Sequence, residues 1–301
     1  HVGNGADANE LHTHAFSQQV ASATMQIVEI DPTETLVIWL DGVAINLNDA
    51  IAAGLVSFDP GSTGFFIDAS GFRSTLLQET LGEPFESFAS NLFNDAAVAM
   101  PAPNDGAELS CETGATALSA GWAWRIPLTN RTGNGYVYSS SFLDADAAEA
   151  ELRRHLGLTD AAVPARHLKM KVGQVRRSWV ANCLAVGLAQ GFIEPLEATA
   201  LHIVHATVSS FIDAYGSRNF TRDRMAEFNA RIHARYEGIR DYIVCHYRMN
   251  QRTDGEYWRA NAANQHLSDN LKTVLTTWFK AGELDQVVND LDIARYYAPL
   301  S

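Results

Sequence analysis

The run Gly187-Leu188-Ala189-Gln190-Gly191-Phe192-Ile193-Glu194-Pro195-Leu196-Glu197-Ala198-Thr199-Ala200-Leu201 decides how this sequence is read. Two glycines bracket a turn, an acid precedes a proline, and a second acid follows three residues on. From Leu196 the residues Ala200, Ile203, Val204, Thr207, Val208, Phe211 and Ile212 recur at helical spacing. Proline suits a first helical turn, where its missing N–H would have no partner, so the spacing predicts a helix beginning near Pro195. Its first free amides then fall at Thr199 and Ala200 or just before them, and such amides attract small anions. Two interpretations stand. Acids in a first turn also serve simply to complement the helix dipole, with Glu194 the simplest cap of free amides, and glycines with a proline also punctuate ordinary loops. The sharper interpretation is a reaction centre built from an acid, a glycine-rich approach and an anion-ready helix start.

Working outward, Trp179-Val180-Ala181-Asn182-Cys183-Leu184-Ala185-Val186 lies just upstream, and Gly121-Trp122-Ala123-Trp124-Arg125-Ile126-Pro127-Leu128 further back. Two tryptophans two apart share one face of a strand, and by themselves they read as core aromatics. Together these blocks resemble the flavin-dependent tryptophan halogenase family, with support from residues 131–140, 239–247 and 252–258. The resemblance runs from about Phe65 to Tyr297. It implies an α/β chain: a glutathione-reductase-type FAD-binding fold, incomplete and with a mixed sheet, plus an appended helical substrate module. Residues 1–212 are then a partial FAD- and halide-binding domain with antiparallel sheet, and residues 213–301 a helical module incomplete at its C-terminal end.

The resemblance also carries roles to individual positions. Glu197 matches the glutamate that helps deliver the electrophilic halogen; a carboxylate there stabilises positive charge developing on an arene and can accept the ring proton. Thr199 and Ala200 match the halide-binding positions. Leu188 and Leu201 match flavin-contacting ones, and Trp122 and Trp124 would lie beside the flavin and disfavour direct oxygen transfer. Asp68 and Gly71 belong to the run from Gly64 to Ser74, which reads as a strand entering a glycine turn and a helix. Such a junction lets a dinucleotide approach the backbone, although a plain strand-to-helix turn has the same pattern.

The implied cofactor is FAD, reduced by a separate NADH-flavin reductase and used with oxygen and chloride or bromide. The implied substrate is a small electron-rich aromatic of the tryptophan or indole kind, with a homodimer as an option and no metal. Ala198 stands where the best-known members have serine. Ala200 stands where they have glycine, which would matter for halide only if that position needed a positive φ. Complete members also carry a strand, a Gly-x-Gly-x-x-Gly turn and a helix for the FAD pyrophosphate, followed by a catalytic lysine. Gly3-Asn4-Gly5 lacks the third glycine, and Lys169, Lys171, Lys272 and Lys280 fall in segments unlike the lysine's. The expectation is an internal fragment, inactive and weak in FAD binding on its own. The rivals are a flavin monooxygenase, against which the Trp-x-Trp-x-Ile-Pro motif counts, and a non-catalytic flavoprotein remnant.

Composition sets the outer bounds. The 301 residues are 47% hydrophobic and 19% charged, enough for a large core and about two domains. A formal net charge of -13 argues against nucleic acid or an anionic membrane as main partner, since both reward a surplus of Lys and Arg. Cys111, Cys183 and Cys245 are odd in number and widely spaced, which reads as reduced thiols in a cytoplasmic protein. No segment reads as a membrane span or a signal peptide. The first residue is His1, not Met, which reads as a truncated start.

The remaining pattern is coarse. Residues 1–8 read as loop, 11–20 as a short helix, and 25–30, 35–40 and 43–47 as strands of a meander with turns at Asp31-Pro32 and Asp41-Gly42. Residues 85–118 suggest more antiparallel sheet. Residues 144–156 read as a solvated surface helix, and 166–172 as a basic strand at a sheet edge. In 222–247, Phe228, Ile232, Tyr236, Ile239 and Ile243 mark a helix, beyond which His246 and Trp258 read as packed side chains in preference to pocket walls.

Overall fold

A computed structural model describes residues 65–104, 111–158, 162–216 and 221–280, a few positions between 282 and 291, and the backbone of four short strands upstream. Upstream, β1 (His12–Thr13) pairs antiparallel with β2 (Gln26–Ile27), and β3 (Val37–Leu40) with β4 (Val43–Asn46). Leu40 faces Val43, the register a two-residue Asp-Gly hairpin requires. The first strand of the expected meander pairs with residues 12–13, inside the stretch expected to be helical. The rest of that stretch lies outside the described residues.

The main sheet is antiparallel and joins sequence-adjacent hairpins to strands paired across longer connections. β5 (Phe66–Asp68) and β6 (Phe85–Ser87) precede three long or medium strands, β7 (Ala96–Ala102), β8 (Gly114–Leu118) and β9 (Gly121–Pro127), then β10 (Thr132–Tyr138). Helix α1 (Ala145–Leu156) follows, then β11 (Arg166–Lys169). Five of these form one sheet in the order β11-β7-β10-β9-β8. Basic β11 is its edge, with all four residues exposed, which blunts strand addition by other chains. Asp144 caps α1 by accepting from the Ala147 amide at 2.8 Å, and left-handed Gly157 ends it. The helix is not solvated all round: Ala148 and Leu152 are wholly buried against Met100, Tyr136 and Tyr138.

Two smaller sheets position the site. β12 (Gly173–Val175) lies between β6 and a short later strand, and β13 (Trp179–Val180) runs into β14 (Cys183–Ala185). That later strand is β15 (Gly191–Phe192). β14 pairs parallel with β5 and antiparallel with β13, so the sheet is mixed as expected, although the strands divide among separate small sheets. Its parallel pair brings Asp68 opposite Ala185, two residues ahead of Gly187.

Helices complete the described chain: α2 (Thr199–Ala214), α3 (Met225–Arg248), α4 (Glu256–Ala263) and α5 (Asp269–Phe279). The division drawn between residues 212 and 213 falls in the last turn of α2. Phe228, Ile232, Tyr236, Ile239 and Ile243 are all buried, so the apolar spacing of α3 is its core face. Trp179 anchors the junction of sheet and helices; its ring meets Phe65, Phe211, Tyr215 and Phe228 at 5.0 to 6.0 Å, mostly edge to face. Truncating it would cost about 3–5 kcal/mol. The three cysteines are free, and burial pushes the Cys183 thiol up to about 12. Among the described residues no helix is long and apolar enough to cross a membrane.

Candidate functional site

Three turns build the candidate site, and the first two meet beside the parallel strand pair. The first follows β5. Asp68 is buried and its carboxylate accepts five hydrogen bonds, from the Ser70 amide and hydroxyl, the Ser74 hydroxyl, and the amides of Leu76 and Leu77. The chain makes a 3-10 turn over Gly71–Arg73, passes Ser74 in the left-handed region, and winds on as a π-helix over Thr75–Thr80 in place of the expected plain helix. Asp68 is thus the internal post of this turn. Gly71, at φ +69, has open space where a Cβ would sit.

The second turn is the 3-10 turn Gly187–Ala189, tied to the first by the Val186 amide donating to the Asp68 carbonyl at 2.9 Å. Gly187, at φ +62, is equally open. Leu188 is 41% exposed and Leu201, in the first turn of α2, 81%. Two uncovered left-handed turns flanked by exposed leucines fit the flat, polar-edged ring of the implied flavin, since backbone can approach such a ring where no Cβ intervenes.

The third turn carries the acids. Pro195 opens a 3-10 turn, Leu196–Ala198, not the α-helix; Ala198 then turns left-handed at φ +53 and α2 begins at Thr199. The predicted continuous helix from Pro195 is therefore broken at Ala198, where the Ala198 amide closes the short turn on the Pro195 carbonyl at 2.9 Å. α2 thus starts without any side-chain cap, at a point where a helix leaves its first amides without intrahelical partners. Ala200 is not among the residues with positive φ, so the condition under which alanine there would disturb halide binding does not arise. Thr199 is buried and its hydroxyl has no partner among the described residues. The Glu197 side chain lies outside the described residues; its backbone sits in the turn between Pro195 and Ala198.

Glu194 does not cap anything. It is wholly buried, with Oε2 accepting from Asn94 Nδ2 at 2.6 Å. The other Asn94 Nδ2 hydrogen goes to the Tyr247 hydroxyl at 2.9 Å, and Tyr257 donates to Asn94 Oδ1 at 2.9 Å. Burial pushes the Glu194 carboxyl up to about 7, held back in part by hydrogen bonds from Tyr247 and Asn94. The capping expectation fails because the buried side chain is held by Asn94, and neither the turn after Pro195 nor α2 has a side-chain cap. Asn94 was invisible in the sequence: it sits in a stretch without periodicity or motif, and only the fold brings it to residues 100 to 163 positions away.

The tryptophan pair lies on β9. Its rings are edge to face at 6.4 Å. Trp124 lies over Gly135, its cross-strand partner, where a Cβ would come within 2.0 Å of the indole. Trp122 is buried in the core that also holds Ile193, Ile203, Tyr257 and Trp258, and its indole N–H has no partner among the described residues. Trp258 is packed, donating to the Leu118 carbonyl at 2.7 Å, whereas His246 is exposed with its ring on the Tyr242 carbonyl.

Comparison with known proteins places these features in context. A family profile described as tryptophan halogenase matches residues 55–293. A 7-chloro-L-tryptophan 6-halogenase, KtzR, from Kutzneria sp. is 38% identical over 215 residues, 71% of this chain and 42% of its own. Among solved structures, Tar14, a tryptophan C-6 flavin-dependent halogenase from taromycin biosynthesis, is 40% identical with a TM-score of 0.67, over 71% of this chain and 42% of that one. The tryptophan 6-halogenase SttH of Streptomyces toxytricini is 31% identical with a TM-score of 0.70, over 84% and 48%. The chain spans less than half the length of these relatives.

Proposed function

The chain belongs to the tryptophan halogenase family, and from that premise we propose that a protein carrying it halogenates a small electron-rich aromatic of the tryptophan or indole class. Reduced FAD, when bound, supplies with oxygen the oxidation of chloride or bromide that makes the halogen electrophilic. The observation that carries the reading is the left-handed break at Ala198, which sets a carboxylate-bearing turn directly before an uncapped helix start. The amides of Thr199 and Ala200 attract the halide there. Glu197, within the turn, stabilises positive charge on the arene and takes its proton. The open turns at Gly71 and Gly187, with Leu188 and Leu201, hold the flavin ring, while Asp68 keeps the first turn in shape. Trp122 and Trp124 make the adjoining wall. A separate NADH-flavin reductase supplies the reduced flavin.

The test is product mass in a protein carrying this chain, given reduced FAD, oxygen, bromide and a tryptophan-class arene. The arene should gain halogen, and Glu197→Gln should lower that yield by about 10²-fold or more, the usual scale for a lost acid–base group. An arene that gains oxygen in place of halogen, or a Glu197→Gln variant that matches its parent, overturns the assignment.

A further inference from the structure

Glu194 is the buried acid that the reaction does not use, and its surroundings are unlike those of the other buried acids. Asp68 accepts five hydrogen bonds. Glu83 is paired with Arg177 at 2.6 Å, and Asp241 with Arg240 at 3.0 Å. Glu194 has Asn94 on Oε2, no hydrogen-bond partner on Oε1 among the described residues, and no cation. The titratable groups that act on it are Tyr247, from α3, through a hydrogen bond, and Tyr257, from α4, through the shared Asn94. No Lys, Arg or His among the described residues shifts it. A carboxylate wholly removed from water without a cation is strongly disfavoured, so while the turn is closed the acid keeps its proton well above the usual carboxylate range.

Its place in the chain is as telling as its surroundings. Glu194 immediately precedes Pro195, whose carbonyl closes the turn bearing Glu197. Asn94 comes from the loop between β6 and β7, and its amide spends both N–H groups and its carbonyl on Glu194, Tyr247 and Tyr257. One side chain thereby joins the sheet, the acid turn and two helices of the helical part.

We propose that Glu194 is the positioning residue of the turn that carries Glu197, a buried acid that Asn94 couples to Tyr247 and Tyr257 of the helical part. Below about pH 7 the protonated anchor holds the turn without setting a second anion three residues from Glu197. Opening the turn to water lets Glu194 ionise, so the anchor weakens as pH rises, while the tyrosines make its grip depend on how α3 and α4 are seated. The inference rests on reading the Glu197 turn as the reaction centre, but its test needs no turnover.

The experiment is amide hydrogen exchange on this chain, comparing residues 196–200 with residues 203–207 of the same helix so that the intrinsic pH dependence of exchange cancels. An acid that ionises near its ordinary 4.5 when exposed and near 7 when buried makes opening about tenfold more favourable at about pH 8 than at about pH 6. The exchange ratio should rise by about that factor in the parent and stay level in Glu194→Gln. Tyr257→Phe, which removes the donor to Asn94 Oδ1, should raise exchange at 196–200 above the parent at both pH values. A parent ratio that is level with pH, a Glu194→Gln ratio that still rises, or a Tyr257→Phe variant with unmoved exchange at 196–200 overturns the proposal. If Glu194→Gln does not fold, the parent and Tyr257→Phe arms decide it. Exchange as expected in a protein that never halogenates would refute the reaction and leave the positioning role standing.

Discussion

Gly135→Ala is the sharpest test of how the tryptophan pair is held. Gly135 and Trp124 are cross-strand partners in the β9–β10 hairpin. A Cβ on residue 135 would stand 2.0 Å from Trp124 Cζ2 and 2.1 Å from Cη2, far inside van der Waals contact. The ring cannot yield easily, because Trp122 stands edge to face behind it at 6.4 Å. Overpacking of this kind costs about 1–3 kcal/mol. Alanine also restricts the unfolded chain, which returns about 0.4–1 kcal/mol. The net expectation is a loss of about 1–2 kcal/mol. In a Trp124→Ala background the obstruction is gone, so the same substitution should be neutral or stabilise by about 0.5 kcal/mol. The coupling between the two sites is then about 2 kcal/mol, within the usual range for residues in contact. Urea unfolding of the four proteins gives the cycle, provided the slope with denaturant stays constant. Equal costs for Gly135→Ala in both backgrounds would refute the steric account of the pair.

Further outcomes follow from the site. Glu194→Gln should flatten the pH dependence of stability. In the parent, the folded state keeps a proton that the unfolded state loses above its ordinary 4.5, so stability falls as pH rises toward about 7 and then levels. At about 1.4 kcal/mol per unit the fall is about 3 kcal/mol; unfolding between about pH 5 and about pH 8 measures it, and an unchanged slope in the variant refutes it. Asp68→Asn should cost about 2–4 kcal/mol, because an amide NH2 cannot accept from the Leu76 and Leu77 amides as the carboxylate oxygen does. A calorimetric midpoint equal to the parent's would contradict that. Ala198→Gly should stabilise by about 1 kcal/mol, since an L-residue in the left-handed region is penalised by about that much and glycine is not; destabilisation would show that the methyl group there is used.

Much of the fold was legible before any coordinates. The helix over residues 225–248 follows from five apolar residues at spacings of three and four, and α1 from the helical spacing of residues 144–156. The basic edge strand was readable for the same reason. Each is decided by neighbours a few positions apart. The continuous helix from Pro195 was not so readable: periodicity and proline both favoured it, and neither carries information about a single residue, Ala198, that enters the left-handed region.

By itself, then, the sequence determined what local chemistry and shared motifs encode: the family, the α/β composition, the strands and helices, and the segment where an acid meets a helix start. Only the tertiary structure decided that Glu194 is buried. Glu194 and Glu197 stand three residues apart in the same motif, and Glu194 is enclosed by an asparagine 100 positions upstream of it and tyrosines 53 and 63 positions downstream. A carboxyl's charge depends on the water and cations within a few ångströms of it, and that neighbourhood is assembled by contacts between distant parts of the chain.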